Sequence, residues 1–180
     1  MRYAKILETD IANGIGVGCC LFVQGCPIHC SEYCFNRETW DFNGGEEWTE
    51  EVKSNFIKLA MRPYIDRVTI LGGESLAAQN AEGVLDLIMT LREYKPELSI
   101  WVYTGYTFDQ LKKLPHKLII DRIMQQSNVM VIGPFVNDLR DITLAFRGSS
   151  NQLIIDSKGS YECGEPVIID KYMSLKEDRL

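Results

Sequence analysis

Residues 66–105 read DRVTILGGESLAAQNAEGVLDLIMTLREYKPELSIWVYTG, and this stretch contains the pattern that decides the fold. The run DRVTILGG (66–73) is rich in β-branched and apolar residues and stops at two glycines, which predicts a buried strand. The segment 80–94 carries apolar residues at helical spacing and is followed by Pro96, so it predicts an amphipathic helix. The run 98–105 predicts a second strand that ends at a glycine. Strand, helix and strand in this order predict a βαβ unit with parallel strands.

The same alternation continues on both sides of this unit. Further strands are predicted over 19–25 and 128–133, and further helices over 49–62, 108–114 and 117–126. Several strands end in glycine, and ligands of α/β folds sit at the carboxyl ends of parallel strands, so these glycines indicate one shared site. About five or six such units are too few for a closed eight-stranded barrel, which takes roughly 250 residues. The sequence therefore predicts an α/β fold with an open, partial (β/α) barrel or a curved, mostly parallel sheet.

Length and composition indicate one soluble globular domain. The 180 residues are 46% hydrophobic and 24% charged, which is ordinary for such a domain. The net charge is −6 and the basic residues form no run, so we expect a protein partner and no direct binding of nucleic acid. No stretch approaches the roughly 18 apolar residues of a membrane span, and the start of the chain does not resemble a signal peptide. We expect a cytoplasmic protein that does not enter the membrane.

Three of the six cysteines, Cys26, Cys30 and Cys34, lie within GCPIHCSEYCFN (25–36). In a reducing cytoplasm, clustered cysteines indicate metal binding or catalysis rather than disulfides. A buried helical stripe also gives a spacing of four, but the glycine and proline beside the first cysteine disfavour a helix. Zinc usually takes four ligands in closely spaced pairs, and no second pair follows here, so zinc stays open but is not favoured. An iron–sulfur cube held by three local thiolates would keep one iron free for a substrate or cofactor.

Five stretches of the chain together resemble the radical S-adenosylmethionine superfamily, and within it the activating proteins of anaerobic ribonucleoside-triphosphate reductases. They occur in the order of that family and read DIANGIGVGCCLFVQGC (10–26), CFNRETWDFNGG (34–45), ILGGESL (70–76), IWVYTGY (100–106) and FRGSSNQ (146–152). The resemblance covers residues 1–156, which we expect to form the radical S-adenosylmethionine domain. It leaves residues 157–180 as an unassigned C-terminal tail.

The resemblance implies a [4Fe-4S] cluster held by the three cysteines and an S-adenosyl-L-methionine molecule at the open iron. It implies that the strand-end glycines and Glu74 hold the amino group of this cofactor, since a carboxylate accepts hydrogen bonds from an ammonium. The rings that flank Cys34 are expected to pack on the adenine, and the rim at Thr104 is expected to contact the ribose or methionine part. The residues implied to bind the cofactor are Tyr33, Cys34, Phe35, Gly72, Gly73, Glu74 and Thr104.

The function implied by the resemblance is that of an activating enzyme. It would abstract a hydrogen atom from a glycine of the large subunit of the anaerobic ribonucleoside-triphosphate reductase and leave a glycyl radical there. A low-potential donor such as flavodoxin would supply the electron. Two alternatives stay open: an activase of another glycyl-radical enzyme such as pyruvate formate-lyase, and a non-catalytic metal-binding or interaction module derived from an activase.

The sequence departs from the family pattern at two points. Three residues (31–33) separate the second and third cysteines where the family has two, and we expect the loop to bulge outward because each extended residue spans up to about 3.3 to 3.6 Å. Ile132 stands where the family usually has aspartate, so a polar contact is absent there or comes from another group. We expect structural hydrogen bonds from the polar run 146–152 and exposure of the last residues, KYMSLKEDRL (171–180).

Overall fold

One sheet runs through the computed structural model, which describes residues 1–176. The strands are β1 (Arg2–Asp10), β2 (Gly18–Val23), β3 (Glu46–Glu47), β4 (Arg67–Gly72), β5 (Ser99–Thr104), β6 (Val129–Ile132), β7 (Leu153–Asp156) and β8 (Val167–Ile168). The helices are α1 (Glu50–Ala60), α2 (Ala78–Tyr94), α3 (Phe108–Leu111), α4 (Lys117–Gln126), α5 (Ser157–Cys163) and α6 (Asp170–Met173), with 3-10 turns at Arg37–Thr39 and Asn137–Leu139. None of the helices in the described residues is long and apolar enough to cross a membrane.

The sheet has a parallel centre and antiparallel flanks. Its strand order is β3-β1-β2-β4-β5-β6-β7-β8, and the four central strands β2, β4, β5 and β6 pair in parallel. Strands β1 and β3 on one side and β7 and β8 on the other pair antiparallel with their neighbours. Within residues 1–176 the two edge strands each pair with one neighbour, so the sheet is open. The predicted α/β fold with an open, mostly parallel sheet is confirmed for the central strands, whereas the antiparallel flanks were not predicted.

The main hydrophobic core lies between one face of the sheet and helices α1, α2 and α4. Alternate side chains of a strand point to opposite faces, and Leu21 of β2 points into this core. Phe56 of α1 and Leu87 of α2 pack there without exposure. Burial of each such side chain contributes about 1.5 to 3 kcal/mol. Thr49 caps the N-terminus of α1, because its hydroxyl accepts a hydrogen bond from the Val52 N–H.

The C-terminal segment covers one end of the opposite face of the sheet. Trp101 of β5 is packed by Tyr172 and Met173, and the rings of Trp101 and Tyr172 lie 5.4 Å apart. The expectation that residues 171–180 are exposed is therefore wrong for Tyr172 and Met173, because their apolar side chains cover the buried tryptophan. Residues 177–180 lie outside the described part of the chain.

A buried ion pair fixes the loop between β1 and β2. Arg67 of β4 is fully buried, and its Nη2 donates to Asp10 Oδ2 at 2.8 Å. The same guanidinium donates to the carbonyl oxygens of Asn13 at 2.9 Å and Ile15 at 3.2 Å. Burial opposes the charge on Asp10, but the hydrogen bonds from Arg67 and Asn13 outweigh it and hold the pKa of Asp10 below its usual value. A Cβ on Gly14 would lie 2.6 Å from the Arg67 side chain, so the loop closes tightly round the guanidinium.

Candidate functional site

The three cysteines lie on the loop that follows β2, at the carboxyl end of the parallel strands. The backbone is not helical over residues 24–36, and the Cys26 N–H donates to the Trp40 carbonyl at 3.1 Å. Gly25 has a φ of +91°, and a Cβ there would meet the Phe42 ring at 2.1 Å, so this position requires glycine. The cysteines are therefore loop residues and do not form a helical stripe.

A turn takes up the extra residue between the second and third cysteines. The Cys34 N–H donates to the Ser31 carbonyl at 3.0 Å, and the Tyr33 N–H donates to the Ser31 hydroxyl at 3.1 Å. Glu32 and Tyr33, the central residues of this turn, are exposed. The outward bulge expected from the sequence is confirmed, and Cys30 and Cys34 still line the same cavity.

The three thiols share one environment. The Cys30 S–H donates to the Cys34 sulfur, which lowers the pKa of Cys34 and raises that of Cys30. Burial raises the pKa of Cys26. In the described residues no group of three or more His, Cys, Asp or Glu side chains is placed to hold a single metal ion. In a cluster each thiolate binds a different iron, so its ligands need only face a common space, and the three cysteines line one cavity.

A cavity of about 610 Å³ opens beside the thiols. This volume is in the range of sites for small molecules and cofactors. The predicted residues that line the cavity are Cys26, Cys30, Cys34, Phe35, Gly72, Gly73, Glu74 and Thr104. The structure thus brings together every predicted site residue except Tyr33.

Close backbone contacts join the end of β4 to the cysteine loop. The Glu74 N–H donates to the Gly25 carbonyl at 2.8 Å, and the Gly73 N–H donates to the Val23 carbonyl at 2.9 Å. A Cβ on Gly73 would lie 2.4 Å from the Gly25 oxygen. The glycine at position 73 is therefore required for the strand end and the cysteine loop to meet.

Glu74 is a buried carboxylate that joins the ends of β4 and β5. Its Oε1 accepts hydrogen bonds from the Thr104 hydroxyl at 2.7 Å and the Leu76 N–H at 2.9 Å, and its Oε2 accepts from the Gly105 N–H at 2.8 Å. Burial raises the pKa of Glu74 to about 7, although the three hydrogen bonds oppose this rise. Among the described residues Oε2 accepts a hydrogen bond from the Gly105 N–H alone, so this oxygen keeps an acceptor position for a ligand. The sequence predicted a ligand contact and missed this structural role.

The two aromatic residues beside the third cysteine occupy different positions. Phe35 lines the cavity, where its ring centre lies 5.1 Å from that of Phe135 and 5.2 Å from the Arg140 guanidinium. Tyr33 is 59% exposed on the turn and is not among the residues that line the cavity. Phe35 is therefore placed to meet a ring in the cavity. The predicted packing of both rings on an adenine stays a prediction.

Ile132 faces away from the cavity. This residue is one of the two points at which the sequence departs from the family pattern. Ile132 is buried in the main core with the helices of the outer layer. The neighbouring Gly133, with a φ of +103°, lines the cavity instead. Ile132 therefore brings no polar contact to the site.

The polar run 146–152 makes hydrogen bonds that stabilise one wall of the cavity, the loop after β6. Gln152 Oε1 accepts a hydrogen bond from the Gly148 N–H at 2.9 Å, and Asn151 Nδ2 donates to the Pro134 carbonyl at 2.8 Å. The first contact lies within the run, and the second ties the run to the loop after β6. The expectation that this run makes structural hydrogen bonds is confirmed.

Three basic residues also line the cavity, and of these the sequence indicated only Arg147, as part of the polar run 146–152. They are Lys5 of β1, Arg140 and Arg147. Arg147 is held by the C-terminal segment, since its Nη2 donates to the Met173 carbonyl at 3.0 Å. Arg147 lies in the quoted stretch FRGSSNQ, but its place in the cavity depends on contacts between distant parts of the chain.

Comparisons with known proteins agree with this site. A family model described as a 4Fe-4S single cluster domain matches residues 12–155. The anaerobic ribonucleoside-triphosphate reductase-activating proteins of Salmonella typhimurium and Escherichia coli are each 38% identical to the chain over 156 residues, which are 86% of this chain and 97% of each relative. The protein of the same name from Enterobacteria phage T4 is 33% identical over 152 residues, or 84% of this chain and 92% of the relative. The family match ends near the predicted domain boundary at residue 156, and the division into two parts stays a prediction.

The fold, the three thiols in one cavity and the family match define an iron–sulfur protein with a single 4Fe-4S cluster domain. The two relatives that match 86% of the chain at 38% identity identify the family within this class. The chain belongs to the family of anaerobic ribonucleoside-triphosphate reductase-activating proteins.

Proposed function

We propose that this protein activates an anaerobic ribonucleoside-triphosphate reductase by forming a glycyl radical on its large subunit with S-adenosyl-L-methionine. The observation that supports this most directly is the placement of three thiols beside a cavity of about 610 Å³, in a chain whose relatives carry that activating function in their names. A low-potential donor such as flavodoxin supplies the electron. The reaction takes place in the cytoplasm and involves no nucleic acid.

Cys26, Cys30 and Cys34 are the residues that would hold the cluster. When bound, a reduced cluster with one open iron supplies the electron that breaks the carbon–sulfur bond of the cofactor. The chain itself positions the thiols: the glycine before Cys26 permits the entry into the loop, and the turn before Cys34 directs the added length away from the cavity. Burial of Cys26 shields this end of the site from water.

The ends of β4 and β5 are proposed to hold the amino acid part of the cofactor. Gly72 and Gly73 lack side chains and leave their backbone open to a ligand in the cavity. Glu74 presents Oε2 toward an ammonium, while Thr104 fixes the carboxylate through Oε1. Phe35 is the ring proposed to pack on the adenine, and Tyr33, which the sequence also suggested, contributes only at the edge of the site.

Radical formation on each possible partner tests this function. The protein is reconstituted anaerobically with iron and sulfide, reduced with dithionite, and mixed with S-adenosyl-L-methionine and the reductase large subunit. We expect about four irons per chain, 5'-deoxyadenosine as a product, and a glycyl radical signal in electron paramagnetic resonance. The cluster-free protein is the control.

Two results would contradict the proposal. If reconstituted protein forms no more 5'-deoxyadenosine than the cluster-free control, the chain is a metal-binding or interaction module. If the radical forms on pyruvate formate-lyase and not on the reductase, the chain activates a different glycyl-radical enzyme.

A further inference from the structure

Trp40 is a half-buried residue that lines the cavity together with the three cysteines. Backbone hydrogen bonds fix its segment against the end of β2. The Gly25 N–H donates to the carbonyl of the fully buried Thr39 at 2.7 Å, and the Cys26 N–H donates to the Trp40 carbonyl at 3.1 Å. The backbone of Trp40 is therefore held directly beside the first cysteine.

The indole ring of Trp40 contacts the cysteine loop at two further points. It stacks on the His29 ring, with the ring centres 4.4 Å apart and the planes 20° apart. The Arg37 guanidinium lies 5.3 Å from the centre of the same indole ring, within the range of a cation–π contact. His29 comes directly before Cys30, and Arg37 comes shortly after Cys34. One ring therefore touches the chain on both sides of the second and third cysteines.

The stack on His29 supports an uncommon backbone conformation. His29 has a φ of +45°, in the left-handed region that residues other than glycine seldom adopt. The residue is exposed, so no burial in the core holds this conformation. Its contact with the half-buried Trp40 ring is thus placed to fix the direction in which the chain enters Cys30.

The Trp40 side chain also reaches the third cysteine. The Cys30 thiol is the main cause of the lowered pKa of Cys34, and a hydrogen bond from the Trp40 side chain to the Cys34 sulfur lowers this pKa further. Cysteine ligands bind iron as thiolates, so the Cys30 proton is lost when a cluster binds. The indole N–H is a donor only and keeps its proton. Of these two side-chain donors to Cys34, only Trp40 can therefore act on a bound cluster.

We infer that Trp40 is a positioning residue of the cluster site, whose ring holds the cysteine loop in shape and whose indole N–H raises the reduction potential of the bound cluster through the Cys34 sulfur. Hydrogen bonds to the sulfurs are among the factors that set the potential of an iron–sulfur cluster. Reduction adds negative charge, which a donor at a ligand sulfur stabilises, and partners of this kind also orient metal ligands. The inference rests on the cluster of the proposed function, but it requires neither S-adenosyl-L-methionine nor the reductase.

Trp40→Phe separates the two roles, because it removes the N–H and keeps an aromatic ring for the contacts with His29 and Arg37. Trp48→Phe is the matched control. The Trp48 Nε1 is buried without a hydrogen-bond partner within residues 1–176, and Trp48 is not among the residues that line the cavity. Each reconstituted protein is titrated anaerobically with titanium(III) citrate and redox mediators, without S-adenosyl-L-methionine, and the reduced cluster is followed by absorption and electron paramagnetic resonance.

We expect Trp40→Phe to bind as much iron as the original protein and to have an equilibrium constant for cluster reduction about tenfold lower. For a one-electron couple this is a potential about 59 mV more negative. The control should stay within twofold of the original constant. An unchanged or higher potential in Trp40→Phe overturns the inference, as does an equal shift in Trp48→Phe.

Trp40→Ala tests the role of the ring. We expect this variant to bind less than half the iron of the original protein under the same reconstitution, while circular dichroism of the cluster-free chain stays unchanged. Full iron binding by Trp40→Ala overturns the inference. If Trp40→Phe does not hold a cluster, replacement of the Trp40 indole by a benzothiophene, a ring of the same shape without the N–H, takes its place. This second variant must bind the cluster at the lowered potential, and loss of the cluster in both overturns the inference.

These outcomes are distinct from a failure of the proposed function. If the unmodified protein binds the cluster but forms no 5'-deoxyadenosine from S-adenosyl-L-methionine, the proposed function fails and the titrations still decide the role of Trp40.

Discussion

Removal of one hydroxyl beside Glu74 tests the electrostatics of the site. The pKa of Glu74 is raised by burial from 4.5 to about 7, so between these values the folded state binds more protons than the unfolded state. The free energy of unfolding therefore falls as the pH rises through this window. The difference of roughly 2.5 pKa units corresponds to about 3 kcal/mol at pH above 7. The Thr104 hydroxyl limits this cost because it donates to the ionised carboxylate at 2.7 Å.

Thr104→Val removes that hydrogen-bond donor and leaves the volume of the side chain nearly unchanged. At pH 8.5 Glu74 is ionised, and the lost hydrogen bond to a charged group costs about 1.5 to 3 kcal/mol. At pH 6 Glu74 is mainly protonated, and a neutral hydrogen bond is worth about 0.5 to 1.5 kcal/mol. The Tyr106 N–H also loses its acceptor, Thr104 Oγ1 at 3.1 Å. This loss costs the same free energy at both pH values. The penalty should therefore be about 1 kcal/mol larger at pH 8.5.

Urea unfolding of cluster-free protein in anaerobic, reducing buffer measures this difference. Thr104→Ser is the control, since it keeps the hydroxyl, and the methyl group it loses costs the same at both pH values. Both pH values lie above the isoelectric point of about 5.0, where the protein carries net negative charge. A Thr104→Val penalty that is equal at the two pH values, or larger at pH 6, would refute the assigned role of this hydroxyl.

Three further substitutions have defined outcomes. Cys30→Ala should abolish the broad visible absorption of the reconstituted cluster and lower the amount of bound iron. Cys163 is an exposed thiol outside the cavity, so Cys163→Ala should change neither quantity. Iron analysis and absorption spectra measure both. Ser75→Ala should raise the free energy of unfolding by about 1 kcal/mol, because the buried Ser75 hydroxyl has no hydrogen-bond partner within residues 1–176. A fall in the urea midpoint would contradict this. Arg67→Met should lower the free energy of unfolding by about 3 to 5 kcal/mol, because it leaves the carboxylate of Asp10 as an unpaired buried charge. A decrease of less than about 1 kcal/mol would show that the ion pair is not needed for stability.

The parallel centre of the sheet was predictable because its strands and helices each have a recognisable local sequence pattern. Buried strands such as 129–132 are continuous apolar runs followed by glycine, and the helices between the strands carry apolar residues at helical spacing. The flanks were not predictable in the same way. Strand β1 has charged residues at positions 2, 5, 8 and 10 and lacks the regular alternation that marks a half-buried strand, and β8 is two residues long. Arg67 lies in a strand but gives no sign in the sequence that a loop will enclose it.

The cysteines and the strand-end residues of the site were predictable because each lies in a short recognisable motif. The structure brings Cys26, Glu74 and Thr104 to one cavity, as expected for residues at the carboxyl ends of parallel strands. Arg140 and Ile142 were missed because their loop reaches the cavity only through long-range contacts. The buried hydrogen bonds of Glu74 were missed for the same reason, since they join two strands 30 residues apart.

The turn at Ser31–Cys34 shows that the number of residues between ligands is a poor guide to their geometry. The added length leaves through Glu32 and Tyr33, so the chain can lengthen there while the sulfurs continue to face one space. Sequence motifs that require a fixed number of residues between the cysteines will fail to detect proteins of this kind. The same solvent-facing corner is a natural attachment point for a spectroscopic label beside the cluster.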